Sequence, residues 1–199
     1  MPSPVIYYIR HGETEWNALG RFQGSQDIPL NDLGRQQAAH AGGIVKDLFA
    51  RDGRAATDLH YVSSPLCRAR STMEAVRVQL SLPPDNYALD ARLREVGYGL
   101  WEGSTLAQQE ASDPDIFALR RLDKWETSPP EGESYASVTQ RVREWYDTLT
   151  GDTVAVAHGG TARALMVTLG VQTIAQAADL PIAQGAVYLF GPNGLAKYT

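Results

Sequence analysis

A chain of 199 residues, 43% of them apolar, is sized for a single domain over residues 1–199, burying roughly 70% of its unfolded surface. A formal net charge of -5 with scattered Lys and Arg leaves no basic stripe for a nucleic-acid backbone. Cys67, the only cysteine, excludes an intramolecular disulfide and a cysteine-rich metal knuckle. No apolar run approaches the ~18 residues that span a bilayer, and Met1–Pro4 carries no basic leader. The expectation is a cytoplasmic protein, monomeric or homodimeric, with no nucleic-acid or membrane partner.

In chain order, Val5–Ile9 (VIYYI) reads as a buried strand that ends in Arg10-His11-Gly12. Asn31-Asp32 then offer an N-cap, followed by Leu33, Ala41, Ile44, Val45, Leu48 and Phe49 near helical spacing. The pattern repeats with a strand at Leu59–Ser63 and a helix running to Leu80, with Pro65 at its first position. Residues between Trp101 and Pro130 are mostly helix-prone, and Ser134–Leu149 forms a helix with Val138, Val142, Trp145, Tyr146 and Leu149 on one face. A third strand, Thr153–Ala157, leads through His158-Gly159-Gly160 into a helix from Thr161 to Leu169 that Gly170 can end. Ala186–Phe190 and Leu195–Tyr198, joined by Gly-Pro-Asn-Gly, read as a hairpin that adds an antiparallel edge strand. Strands alternating with helices imply an α/β fold, a three-layer α/β/α sandwich around a mostly parallel sheet.

In a parallel sheet, strands that feed crossover helices end on one edge, where ligands bind. His11, Arg68 and His158 each lie just past such an end, with Arg10 and Asn17 beside them. Two imidazoles and arginine forks match a phosphoryl group. Singly, each residue has an ordinary structural reading, and Glu95 between Arg92 and Arg94 would be a surface ion-pair partner. The shared sheet edge favours the functional one. Nucleotide-cradling glycine loops are absent. Met73 stands where a cysteine phosphatase based on Cys67 needs arginine, and no apolar strand precedes Asp113-Pro114-Asp115. Metal-ligand spacings such as H-E-x-x-H are also absent, so neither metal nor cofactor is expected. Histidine remains as the nucleophile.

Arg10-His11-Gly12-Glu13-Thr14-Glu15-Trp16-Asn17 resembles the signature R-H-G-E-[ST]-x-W-N of the histidine phosphatase superfamily, phosphoglycerate mutase-like branch 1. Arg21-Phe22-Gln23-Gly24, Ser63-Ser64-Pro65-Leu66-Cys67-Arg68, Leu93-Arg94-Glu95, Trp101-Glu102-Gly103, Gly132-Glu133-Ser134 and His158-Gly159-Gly160 extend the resemblance, while Gln184 replaces an expected asparagine. The resemblance implies a phosphoglycerate mutase-like fold with His11 as nucleophile and Glu95 as general acid and base. Arg10, Arg68 and His158 would hold the phosphoryl oxygens, with Asn17, Gln23, Gly24 and Gly159 in the phosphate and substrate site. The expected activity is hydrolysis of a small phosphorylated metabolite through a phosphohistidine. Phosphoglycerate mutase-type transfer is the alternative, and a non-catalytic phospho-ligand-binding module is a third reading. Family mutases tend to be longer between the Trp-Glu-Gly and Gly-Glu-Ser motifs and commonly carry asparagine at the position of Gly160, which favours the phosphatase.

Overall fold

The structure, a computed structural model, describes residues 4–199; Met1–Ser3, part of the N-terminal stretch read above as lacking a leader, lie outside them. In chain order the elements are β1 (Ile6–Arg10), α1 (Glu15–Ala18), α2 (Asp32–Asp52), β2 (His60–Ser63), α3 (Cys67–Gln79) and β3 (Ala88–Leu89). They are followed by α4 (Leu106–Ser112), α5 (Pro114–Leu122), α6 (Tyr135–Tyr146), β4 (Thr153–Ala157), α7 (Gly159–Thr168), α8 (Ile174–Ala177), β5 (Val187–Gly191) and β6 (Gly194–Tyr198).

The strands form one sheet in the order β3-β2-β4-β1-β5-β6. The pairs β3–β2, β2–β4 and β4–β1 are parallel, whereas β5 is antiparallel to both neighbours. Side chains alternate across the sheet, so neighbouring residues of β1 serve different layers. Tyr7 and Ile9 pack with Val45 and Phe49 of α2 and Met73 and Val76 of α3. Ile6 and Tyr8 pack on the other face with Val142 and Trp145 of α6 and Leu165 of α7. This is the expected three-layer α/β/α arrangement.

Several local expectations shift. The antiparallel strand is β5, one place in from the edge, because the hairpin joins the sheet through its first arm; the edge strand β6 runs in the direction of β1. Pro65 precedes α3, whose N-cap is Leu66, since a helix there starts only after the chain leaves β2. Leu33 is 47% exposed, because the first turn of α2 packs its Gly34 side, and not Leu33, against the backbone of Glu13 in the loop after β1. Helix α7 begins at Gly159 rather than Thr161, with His158 as its N-cap. Trp125 and Tyr135 are buried and stacked, with ring centroids 5.2 Å apart.

The first turn of α2 supports the loop that carries His11. Asn31 caps the helix by accepting from Gly34 N at 2.8 Å, and its backbone N–H donates to the Glu13 carbonyl at 2.9 Å. Gly12 and Gly34 pack backbone against backbone: a Cβ on Gly34 would lie 2.0 Å from the Glu13 carbonyl oxygen. Gly43, also in α2, faces open space. Opposite signs follow. Gly34→Ala should lower unfolding free energy by about 1–3 kcal/mol through forced displacement of backbone. Gly43→Ala should raise it by about 0.5–1 kcal/mol through the removal of glycine's conformational freedom from a helix interior. Urea unfolding of the two variants checks this, and equal effects would mean that the loop after β1 is not seated on α2.

Candidate active site

Strands β1 and β4 pair in parallel with Arg10 opposite Ala157, so the residues that follow, His11 and His158, emerge side by side. The His11 backbone N–H donates to the Ala157 carbonyl at 2.9 Å, and the two imidazole centroids are 5.1 Å apart. Both rings are buried. His11 Nδ1 lies 2.6 Å from the Gly12 carbonyl oxygen. A carbonyl only accepts, so Nδ1 carries the proton and Nε2 presents a lone pair.

His158 is held in a buried network. Its backbone N–H donates to the Tyr8 hydroxyl and Thr161 Oγ1, each at 3.1 Å, while the Tyr8 hydroxyl donates to the His158 carbonyl at 2.7 Å. On the ring, Nε2 is 2.8 Å from Ser64 Oγ, at the end of β2. Burial lowers the pKa of both histidines well below the ordinary 6.5, and the Arg10 and Arg68 guanidiniums push in the same direction. Both imidazoles are therefore neutral in the free protein at pH 7.

The guanidiniums converge from two other segments. Arg68, fully buried in the first turn of α3, donates from Nη1 to the Gln26 carbonyl at 2.6 Å and from Nη2 to the Gly24 carbonyl at 2.9 Å. Arg10 donates from Nη1 to the Ile182 carbonyl at 2.6 Å, and a Cβ on Gly159 would lie 3.6 Å from Arg10 Nε. Burial lowers both arginine pKa values, and the nearby Glu95 charge opposes it. Arg10 Nε, Arg68 Nε and His158 Nδ1 are buried without hydrogen-bond partners. An unpaired buried polar group costs about 1–3 kcal/mol. Three at one sheet edge, two of them on cations, suit an anion with several acceptor oxygens.

Glu95 lies across from this cluster. Its Oε1 accepts from the backbone N–H groups of Val96 and Gly160, both at 2.9 Å, which ties it to the first turn of α7. A Cβ on Gly160 would fall 2.4 Å from Glu95 Oε1 and 2.3 Å from Val96 Cγ2, so this approach requires glycine.

The remaining residues expected in the site sit in the loop after β1. Asn17 Oδ1 accepts from Thr14 N at 3.1 Å and from Gln184 Nε2 at 3.0 Å, so Gln184 reaches this loop despite replacing an expected asparagine. Gln23 is buried with Oε1 3.0 Å from Thr14 Oγ1, and Gly24 contributes its carbonyl to Arg68. Glu102 fixes that segment by accepting from Ser25 N at 2.8 Å and Gln26 Nε2 at 2.9 Å. Sequence reasoning assigned no part to Tyr8, Ser64 or Thr72, whose Oγ1 accepts from Gly12 N at 3.1 Å. Ser64 stands beside Arg68 in a quoted motif, and that was its only signal.

Among the described residues, no group of three or more His, Cys, Asp or Glu side chains could hold a metal ion, and no helix is long and apolar enough to cross a membrane. A cavity of about 1120 Å³ lies between α4, α5 and α8, bordered by Phe22, Tyr98, Gln109 and Arg163.

Known proteins resemble this chain in sequence and in fold. The chain is 31% identical to a 2,3-bisphosphoglycerate-dependent phosphoglycerate mutase of Chelativorans sp. (strain BNC1), covering 96% of this chain and 94% of that protein. It is 34% identical to a glucosyl-3-phosphoglycerate phosphatase of Mycolicibacterium vanbaalenii, covering 82% and 73% respectively. The solved structure of Mycobacterial hydrolase 1 superposes with a TM-score of 0.79 at 30% identity, covering 94% of this chain and 90% of that one. The sequence model of the histidine phosphatase superfamily (branch 1) matches residues 6–195. The chain belongs to branch 1 of the histidine phosphatase superfamily and has its phosphoglycerate mutase-like fold.

Proposed function

We propose that the protein is a metal-independent phosphomonoesterase of the cytoplasm, acting on a small phosphorylated metabolite through a phosphohistidine on His11. The observation that carries this reading is the 2.6 Å approach of His11 Nδ1 to the Gly12 carbonyl, which calls for the proton on Nδ1 and frees Nε2 for phosphorus, in a pocket where Arg10 Nε and Arg68 Nε lack partners. Nε2 attacks phosphorus as the ester P–O bond breaks, and Glu95 gives its proton to the departing alkoxide. Water then attacks the phosphohistidine, Glu95 takes the water proton, and the P–N bond breaks to release inorganic phosphate. Arg10, Arg68 and His158, assisted by Asn17, Gln23, Gly24 and Gly159, stabilise the phosphoryl oxygens of a loose transition state, a task that Mg²⁺ performs in other enzymes.

A mutase would use the same groups but pass the phosphoryl to a second hydroxyl, and the near full-length mutase relative supports that reading. Gly160 favours hydrolysis, since family mutases commonly carry asparagine there and a Cβ would collide with Glu95. Substrate selectivity lies in residues 104–131, several of which border the cavity between α4, α5 and α8. The single unpaired thiol suits the cytoplasm.

The direct test is a rapid quench during turnover in excess EDTA. Acid-labile, base-stable phosphate should appear on the wild-type protein, with net release of inorganic phosphate, and should vanish in His11→Ala. Loss of turnover on chelation with recovery on adding Mg²⁺ would overturn the metal-independent mechanism, and transfer without phosphate release would favour the mutase.

Glu95→Gln keeps the shape of the side chain and removes its proton. Hydrolysis of an alkyl phosphate should fall by about 10²–10⁴-fold. The burst of nitrophenolate from p-nitrophenyl phosphate should fall much less, because that leaving group departs with little help. Equal losses on both esters would reassign Glu95 and move suspicion to Glu13.

Burial, Arg10 and Arg68 keep His11 neutral to well below pH 6.5. Corrected for substrate ionisation, whose second pKa is about 6, kcat/KM should therefore stay flat through pH 6.5 and fall only in more acidic buffer. Stability should behave differently. The unfolded histidines take up protons below about pH 6.5 while the folded ones do not, so unfolding free energy declines as pH falls, by up to about 1.4 kcal/mol per pH unit for each histidine. Kinetics and urea titrations over pH 5–8 separate the two, and an acid limb of kcat/KM centred at 6.5 would contradict a buried neutral His11.

A further inference from the structure

Glu95 sits in the irregular segment between the short turn Ala91–Leu93 and Tyr98, which has no ladder to hold it. What holds it is Arg141, in the middle of α6. The guanidinium has five N–H donors, and all five are engaged. Nη1 donates to the Arg92 carbonyl at 2.6 Å and the Arg94 carbonyl at 2.8 Å, and Nη2 donates to the Glu95 carbonyl at 3.1 Å. Nε and Nη2 also form a bidentate pair with the two Glu133 carboxylate oxygens, each at 3.0 Å. Glu133 closes the far side of the same segment: its Oε2 accepts from Gly97 N at 2.8 Å and its backbone N–H donates to the Gly97 carbonyl at 2.8 Å. Burial disfavours the Glu133 charge, but the Arg141 hydrogen bonds and charge more than offset that, leaving its pKa below the ordinary carboxylate value. Backbone groups on both sides of Glu95 are thus fixed to one rigid ion pair.

We propose that Arg141, oriented by Glu133, is a positioning residue for proton transfer: it fixes the main chain of Glu95 so that Oε1 stays on the Gly160 amide and the other carboxylate oxygen faces the leaving group. The inference rests on the reading of Glu95 as the acid. Arg141 donates to no side chain of the candidate site, its link to Glu95 being the backbone carbonyl, and its charge, which also helps to lower the His158 pKa, is retained in a lysine variant. Lysine keeps the charge but has three rotatable donors instead of a fixed fork, so it cannot span three carbonyls and a bidentate carboxylate. A displacement of about 1 Å in a reacting group can cost 10²-fold in rate, and here that cost should appear only in steps that use the Glu95 proton.

The experiment compares Arg141→Lys, Glu133→Gln and Glu95→Gln on an alkyl phosphate and on p-nitrophenyl phosphate, reading single-turnover phosphorylation, KM and melting temperature. Arg141→Lys should slow the alkyl ester by roughly 10–100-fold and the nitrophenyl ester by less than about threefold, with KM nearly unchanged. Glu133→Gln, the milder change, should show the same selectivity with a smaller loss. In the Glu95→Gln background, Arg141→Lys should add no further selectivity. Equal losses on both esters for the Arg141 and Glu133 variants, with Glu95→Gln still selective, would make the ion pair a structural brace and overturn the inference alone. Loss of selectivity in Glu95→Gln itself would overturn the acid assignment and this inference with it.

Discussion

The parallel pairing of β1 with β4 is the constraint on which the site depends. Five residue pairs in register, from Ile6 opposite Thr153 to Arg10 opposite Ala157, bring two histidines nearly 150 positions apart to adjacent places on one edge. A shift of one residue would turn every side chain of β1 to the other layer, exchanging Tyr7 and Ile9 with Ile6 and Tyr8 between the two halves of the core. Register is therefore enforced by burial on both faces, and the catalytic geometry inherits that enforcement. The Tyr8 hydroxyl extends it further: a residue chosen by the core pattern also fixes the backbone of His158.

The same edge concentrates positive charge in a chain whose net charge is -5. Desolvating a guanidinium costs several kcal/mol, and Arg10 and Arg68 meet mainly backbone carbonyls rather than paired carboxylates. Carbonyl dipoles and the Glu95 charge compensate only in part, which is why burial remains the dominant influence on both pKa values. A phosphoryl dianion supplies what the protein withholds. In the proposed reaction binding energy would be directed to the phosphoryl group, since a neutral alcohol is a weaker acceptor for these charged donors than a dianion.

Five of the six strands were legible as short apolar runs, most rich in β-branched or aromatic residues, and their alternation with helices was enough for the layered architecture; β3, the two residues Ala88–Leu89, offers no such run. His11, His158 and the two arginines were legible as a candidate site because each lies at, or a few residues past, the end of such a run. What escaped the sequence depends on contacts between distant segments. Ser64 and Thr72 are ordinary hydroxyl residues until β2 and α3 are set beside the histidines. Arg141 has the appearance of a solvated helix arginine, and only the packing of α6 against residues 91–97 reveals its five contacts. The early start of α7 was hidden because Gly159 and Gly160 are poor helix formers; Glu95 needs the space that a Cβ would fill.

The reversed direction of β5 bears on how the protein is made. Because that strand runs against β1, the segment leading into it returns to the catalytic edge, where the Ile182 carbonyl receives Arg10 across 172 positions and Gln184 meets Asn17 across 167. A chain extended only as far as Gly160 holds every residue of both histidine motifs, yet Arg10 still lacks its Ile182 acceptor. Completion of this edge thus waits for residues 182–184 to reach it, and contacts of such sequence separation form slowly.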